Sequence, residues 1–175
     1  MKTEKIKRYR LGVSRTFPTT HPKKGQETEF VGKITNLLMR NGIAKALGGE
    51  VVIQWNDSKI HTIRANYPLW AKRMAEVQAG RAIIELFYWE GKPYNSKHIV
   101  FAVLDKNSGC GVQELFFEEC NILAPIACEE NWYKGLTLEE LAQNDGLNPD
   151  DFKAWFKGYD LSKPMAIIHF TSFRY

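Results

Sequence analysis

The chain has 175 residues, of which 44% are hydrophobic, 25% charged and 13% aromatic, and a formal net charge of +4. Those proportions exclude a disordered segment, and nothing repeats with a collagen or solenoid period. A chain of this length buries roughly 70% of its unfolded-state surface, enough for one core without disulfide staples. The expectation is therefore a single domain over residues 1–175, with 1–8 as a frayed basic terminus.

In chain order, Tyr9–Phe17 reads as a first strand, and Pro18–Gly25 as a loop rich in breakers. Phe30, Ile34, Leu37 and Leu38 fall at helical spacing, predicting a helix over 29–41 that Gly42 interrupts. Residues 43–47 read as a further helical turn ended by Gly48-Gly49. Val51–Trp55 reads as a short strand ended by the turn Asn56-Asp57-Ser58. Ile60–Arg64 is extended again. Trp70, Met74 and Val77 recur at i, i+4 and i+7, predicting a helix over 68–79 closed by Gly80. Ala82–Trp89 is an apolar strand followed by the turn Gly91–Ser96. Ile99–Leu104 and Val112–Phe117 read as a hairpin around Asn107-Ser108-Gly109. Thr137 with Glu140 forms a capping box for a short helix, and Asn148-Pro149-Asp150-Asp151 opens another. Ala166–Phe173 is the last strand. Strands with irregularly interspersed helices do not build a doubly wound sheet; they predict an α+β fold, taken as a small, partly closed β-barrel with flanking helices.

Charge is unevenly distributed. Residues 1–25 sum to +7, and Glu114–Asp160 sum to −8. The basic segment is a candidate phosphate-contacting surface, with a solvated terminus as the alternative. Any nucleic acid should lie away from the acidic stretch. Three cysteines, Cys110, Cys120 and Cys128, without C-x-x-C spacing, argue for reduced thiols in a cytoplasmic setting and against a zinc ribbon. No apolar run approaches the ~20 residues that span a bilayer, and the basic N-terminus lacks the apolar stretch of a secretory signal. The four histidines are scattered, with no pair at H-x-x-x-H spacing, and no phosphate-loop or dinucleotide fingerprint occurs. Neither a metal nor a cofactor is expected.

The densest polar cluster is Lys59-Ile60-His61-Thr62-Ile63-Arg64. Thr62 and Arg64 are two apart and share one face of a strand. Lys59 joins them only if the chain turns or bulges near Ser58-Lys59. An exposed strand start with solvated cations is the plainer reading of the spacing alone.

Lys59-x-x-Thr62-Ile63-Arg64 resembles the K-x-x-T-I-R signature of ASCH domains, a branch of the PUA-like superfamily. Leu141–Phe152, with Asp145-Gly146 at its centre, resembles that family's A-x-x-[acid]-G helix and turn, and Met165–Phe173 resembles its closing strand. The likeness spans most of residues 7–173. Residues 42–52 depart from it as an insertion, and 65–80 supply a helix where compact members have a turn. The resemblance implies a small barrel with a cleft and RNA-related roles. Some compact bacterial members are amidohydrolases that deacylate N4-acetylcytidine with a lysine, a threonine and a glutamate. Carried over by motif, these fall on Lys59 as base, Thr62 as nucleophile and Asp145 as the acid. The last is one methylene shorter than the family's glutamate, about 1.5 Å, where a 1 Å misplacement can cost about 100-fold in rate.

Chemistry makes the same set plausible. A threonine hydroxyl needs a base to take its proton, and a lysine serves only when burial or a neighbouring cation lowers its pKa. Arg64 supplies such a cation and a donor for a developing oxyanion. The same residues suit a binding cleft, with Lys59 and Arg64 for a phosphate and Thr62 and Asp145 for a base edge. Trp89 and Tyr94 are candidate stacking platforms on a loop that also carries Lys92 and Lys97. Packing into the core is the alternative for Trp89, and is equally open for Trp132-Tyr133. His21 and Lys24 form a candidate rim. Two readings follow: a module binding RNA or a nucleotide, and an amidohydrolase acting on an acylated nucleoside.

Overall fold

The computed structural model describes residues 6–43 and 59–175. The expected short strand Val51–Trp55, the turn at 56–58 and all but Ile43 of the expected turn at 43–47 lie outside the described residues. The elements are β1 (Lys7–Gly12), α1 (Phe30–Arg40), β2 (His61–Ala65), α2 (Tyr67–Gln78), β3 (Ala82–Trp89) and β4 (His98–Leu104), then β5 (Gly111–Phe117), β6 (Pro125–Glu129), β7 (Trp132–Gly135), α3 (Leu138–Asn144), α4 (Pro149–Trp155) and β8 (Met165–His169).

They form two sheets. β1 runs parallel to β3, which pairs antiparallel with β4. The second sheet has the order β2-β8-β5-β6-β7 and is antiparallel throughout. β8 is an interior strand between β2 and β5, and all five of its residues are buried. It reads as a continuous apolar run because both of its faces are covered.

Each helix forms for a legible local reason. α1 buries Phe30, Ile34, Leu37 and Leu38, one stripe of a 3.6-residue period. At the start of α2 the Asn66 side chain accepts from the Leu69 amide at 3.2 Å, and Pro68 occupies the first turn. Thr137 Oγ1 caps α3 by accepting from Glu140 N at 3.1 Å, and Asn148 caps α4 by accepting from Asp151 N at 2.8 Å. α2 lays Trp70, Met74 and Val77 against β3 of one sheet and β5 and β8 of the other.

That placement corrects the expected partly closed, PUA-like barrel. Neither sheet closes: β1 and β4 are the edges of the first sheet and β2 and β7 those of the second, and no ladder joins them among the described residues. The apolar stripe of α2 lies between the sheets, so a helix provides the contact that a closing strand would make. The α+β class stands without the barrel. The expected hairpin of 99–104 with 112–117 is also corrected. β4 folds back on β3 across the Gly91–Ser96 turn, whereas β5 belongs to the other sheet. The turn Asp105–Gly109 therefore carries the chain between sheets.

Because Met74 is the buried centre of that stripe at 1% exposure, and Leu69 on the same helix is 39% exposed, the two truncations should separate cleanly. Met74→Ala is expected to lower unfolding free energy in urea by about 2–5 kcal/mol. Leu69→Ala should change it by less than about 0.5 kcal/mol.

Candidate functional site

The site is assembled where the chain entering β2 meets the C-terminus of α3. Ile60 N donates to Asn144 O at 2.9 Å, and Phe170 N donates to Ile60 O at 3.2 Å, so the segment before β2 is held on both sides. α3 ends with Asp145 as C-cap and Gly146 in the left-handed region at φ +80°. Gly146 N and Leu147 N close the last turn onto Gln143 O and Ala142 O. A Cβ at Gly146 would lie 3.1 Å from Lys59 Cβ. Glycine is needed twice there, for the backbone conformation and for this approach. Lys59 stands just before the regular strand, and this irregularity lets it join the face of Thr62.

Lys59 is 2% exposed. Its Nζ donates to Asp145 Oδ1 at 2.7 Å and to Asp145 O at 2.6 Å, and lies 4.2 Å from the centroid of the Phe30 ring. Burial lowers the Lys59 pKa to about 8, with the Arg64 and Lys33 charges pushing the same way against the opposing pull of Asp145. Burial alone would raise the Asp145 pKa, but the Lys59 ammonium and the neighbouring His61 bring it below the ordinary value.

Thr62 and Arg64 share one face of β2. Arg64 Nη1 donates to Thr62 Oγ1 at 2.7 Å and to Ile63 O at 2.7 Å, and Nη2 donates to Gly12 O at 2.6 Å. The guanidinium is thus clamped between β2 and the end of β1. Thr62 accepts one hydrogen bond, and its own proton has no acceptor among the described residues.

These groups line an inner pocket of about 380 Å³ with Lys59, Thr62, Arg64 and Asp145 in its wall, and Tyr94, Trp155 and Tyr159 around them. A larger cleft of about 940 Å³ adjoins it, lined by Arg10, Arg15, Trp89 and His98 among others. Val13, Ser14, Arg64 and Tyr94 line both. Tyr94 is 87% exposed and holds φ +65°, a conformation that costs a non-glycine residue of order 1–3 kcal/mol. Its ring stands 5.3 Å from Trp89, which in turn meets His98 edge-on at 3.9 Å.

The other residues singled out from sequence fall elsewhere. His21 is buried against Phe17, its Nε2 3.1 Å from Asp151 O, outside both pockets. Lys24, Lys92 and Lys97 are exposed and contribute to neither lining. Trp132 and Tyr133 are not packing residues: they are 81% and 68% exposed on β7, beside a separate pocket of about 460 Å³. Much of the N-terminal positive charge is already matched, since Lys7 pairs with Glu76, and Arg8 and Arg10 with Glu85. Sequence reasoning missed His61 and Tyr175, which lie behind Asp145. His61 is inside the Lys59–Arg64 cluster, and alternation turns it away from the Thr62 face, but nothing in the spacing says what it meets there. Among the described residues, no group of three or more His, Cys, Asp or Glu is placed to hold a metal ion, and no helix is long and apolar enough to cross a membrane.

Comparison with known proteins returns no matching family model, no matching curated protein and no matching solved structure.

The Lys59–Asp145 pair generates a stability prediction. Lys59→Met leaves a buried carboxylate without its cation, and should lower unfolding free energy by about 3–5 kcal/mol. Lys59→Met combined with Asp145→Leu removes both charges and should recover more than half of that loss in the same urea titrations.

Proposed function

We propose that the chain binds single-stranded RNA or a nucleotide in the cleft that joins the two pockets. The observation that carries this reading is the shared wall. Arg64 and Tyr94 belong to both compartments, so a ligand can place one ring in the inner pocket and keep its phosphate by Arg15. The inner volume suits one nucleoside, within the usual 300–1,000 Å³ of small-molecule sites. Tyr94 and Trp89 offer π faces at the rim, and stacking on such faces is worth about 1–3 kcal/mol per base. The left-handed backbone at Tyr94, in the Gly91–Ser96 turn, holds its exposed ring beside Trp89 at this rim. The Lys59-x-x-Thr62-Ile63-Arg64 signature adds the RNA-related role that the ASCH resemblance implies, without the barrel that it also implies.

The test is fluorescence anisotropy with a labelled single-stranded RNA across a salt series. Tyr94→Ala should weaken binding by about 5- to 150-fold. Arg15→Ala should weaken it on all sequences alike and reduce the salt slope by about one. Binding that is absent at low salt, or indifferent to both substitutions, would remove this reading.

One observation favours a second reading, an amidohydrolase acting on N4-acetylcytidine or a related acylated nucleoside. Lys59, with its pKa lowered to about 8, lines the same inner pocket as Thr62 and Asp145. A lysine so placed supplies a neutral amine near physiological pH, which is what a threonine nucleophile needs. Water then has to release the acyl-threonine ester, with the Lys59 proton going to the departing amine and Arg64 facing the oxyanion. Incubation with N4-acetylcytidine should give cytidine and acetate, and Thr62→Ala should reduce the rate at least about 100-fold, whereas Thr62→Ser keeps measurable turnover. Deacylation unchanged in Thr62→Ala would eliminate the threonine mechanism.

A further inference from the structure

Behind the inner pocket the buried polar groups form one hydrogen-bonded chain. Asn144 Nδ2 donates to Tyr175 Oη at 2.9 Å, and His61 Nε2 lies 2.7 Å from the same oxygen. Tyr175 keeps its phenolic proton, because burial raises its pKa. A phenol has one proton to give, so the arrangement that uses both contacts and that proton has Tyr175 accepting from Asn144 and donating to His61 Nε2. His61 is fully buried, and burial lowers its pKa, so the ring is neutral. With Nε2 as acceptor, its single proton sits on Nδ1.

That Nδ1 has no hydrogen-bond partner among the described residues. The acceptor facing it is Asp145 Oδ1 at 3.5 Å, the same oxygen that Lys59 Nζ holds at 2.7 Å. The distance is too long for a good hydrogen bond and short enough to close by a small rotation of the carboxylate. The other groups around this cluster do not compete. His169 meets His61 edge-on at 5.6 Å and points its Nε2 to Gln113 Oε1 at 2.9 Å; burial brings its pKa to about 2, so it stays neutral. Lys33 from α1 donates to Gly146 O at 3.1 Å, and Arg64 from β2 is held by Thr62, Ile63 and Gly12. Phe30 presents only its ring to Lys59.

We propose that His61 and Tyr175 are positioning residues for Asp145: the phenol fixes the imidazole with its proton on Nδ1, and that N–H takes Asp145 Oδ1 when Lys59 releases it. The carboxylate then keeps a donor while Lys59 loses a proton or turns to a ligand. No proton passes to His61; the one Lys59 gives up leaves through the pocket to water or to the bound molecule. His61 therefore favours the neutral amine at Lys59. The inference rests on the reading of Lys59 as the group that acts in the pocket, and it extends that reading to two residues that touch no ligand.

The test reads Lys59 directly, by NMR titration of its side chain in lysine-labelled protein, and compares three variants. His61→Asn keeps an amide N–H close to the Nδ1 position, whereas His61→Gln places its amide near Nε2 and leaves Asp145 without that donor. Tyr175→Phe keeps the ring and frees the imidazole proton. The wild-type midpoint should lie near pH 8. His61→Gln and Tyr175→Phe should each raise it by about one unit, a tenfold change in proton affinity, while His61→Asn stays near wild type. Tyr175→Phe removes only one oxygen and carries the test where a His61 variant does not fold. Equal shifts in His61→Asn and His61→Gln, or no shift in Tyr175→Phe, would overturn the proposal. The predicted midpoint pattern sustains it even where the same samples neither bind RNA nor deacylate a nucleoside, an outcome that counts against the functional reading alone.

Discussion

A buried ammonium is the constraint around which this end of the molecule is arranged. Taking Lys59 out of water is costly unless its protons and its charge are both answered. Asp145 answers with two oxygens, one from the carboxylate and one from the carbonyl. A helix C-terminus is suited to this, because its last carbonyls lack intrahelical partners and carry the negative end of the dipole. Gly146 then has to follow, since a side chain there would strike Lys59 Cβ. The shorter acid also fits. With the α3 terminus this close, an aspartate reaches Nζ at 2.7 Å while its own carbonyl does the same, and a glutamate would carry its carboxylate past that point.

The elements that could be read from sequence are those whose signals are local. Phe30, Ile34, Leu37 and Leu38, or Trp70, Met74 and Val77, mark a buried helix face whatever lies beyond it, and caps at Thr137 and Asn148 act within four residues. Partnering between strands is not local. The short β7 is exposed along its length and carries no alternation, so it was invisible. β4 and β5 look like a hairpin because a good turn separates them, yet each finds its partner in a different sheet. The barrel expectation failed for the same reason: period and composition do not say that α2 will lie between the sheets.

The candidate site was legible to the extent that its residues lie on one short motif. Alternation along β2 puts Thr62 and Arg64 on one face, and the Asp145-Gly146 pair is a recognisable helix end. What could not be read is which residues stand behind them. His61 alternates to the other side of β2, and Tyr175 reaches it from 114 positions away. Charge was similarly misleading when summed along the chain. The basic N-terminal strand spends Lys7, Arg8 and Arg10 on Glu76 and Glu85, so the positive character near the cleft comes from Arg15 and Arg64 more than from the run itself.

Binding and catalysis make different demands on one oxygen atom. A ligand held by phosphate and stacking can leave Asp145 Oδ1 on Lys59, since Arg15, Arg64 and Tyr94 act without disturbing the pair. A threonine nucleophile requires Lys59 in its neutral form, and an amine without its proton holds a carboxylate far less tightly than an ammonium does. Asp145 would then be a desolvated anion facing only its own helix end, which raises the barrier to deprotonation unless another donor stands ready. The fold places a neutral imidazole N–H there, fixed by a phenol and an asparagine amide, and without a hydrogen-bond partner of its own among the described residues. If Lys59 gives up its proton, that N–H is the donor left to hold Asp145; if the cleft only grips its ligand, Lys59 keeps the carboxylate and the imidazole stands behind the pair.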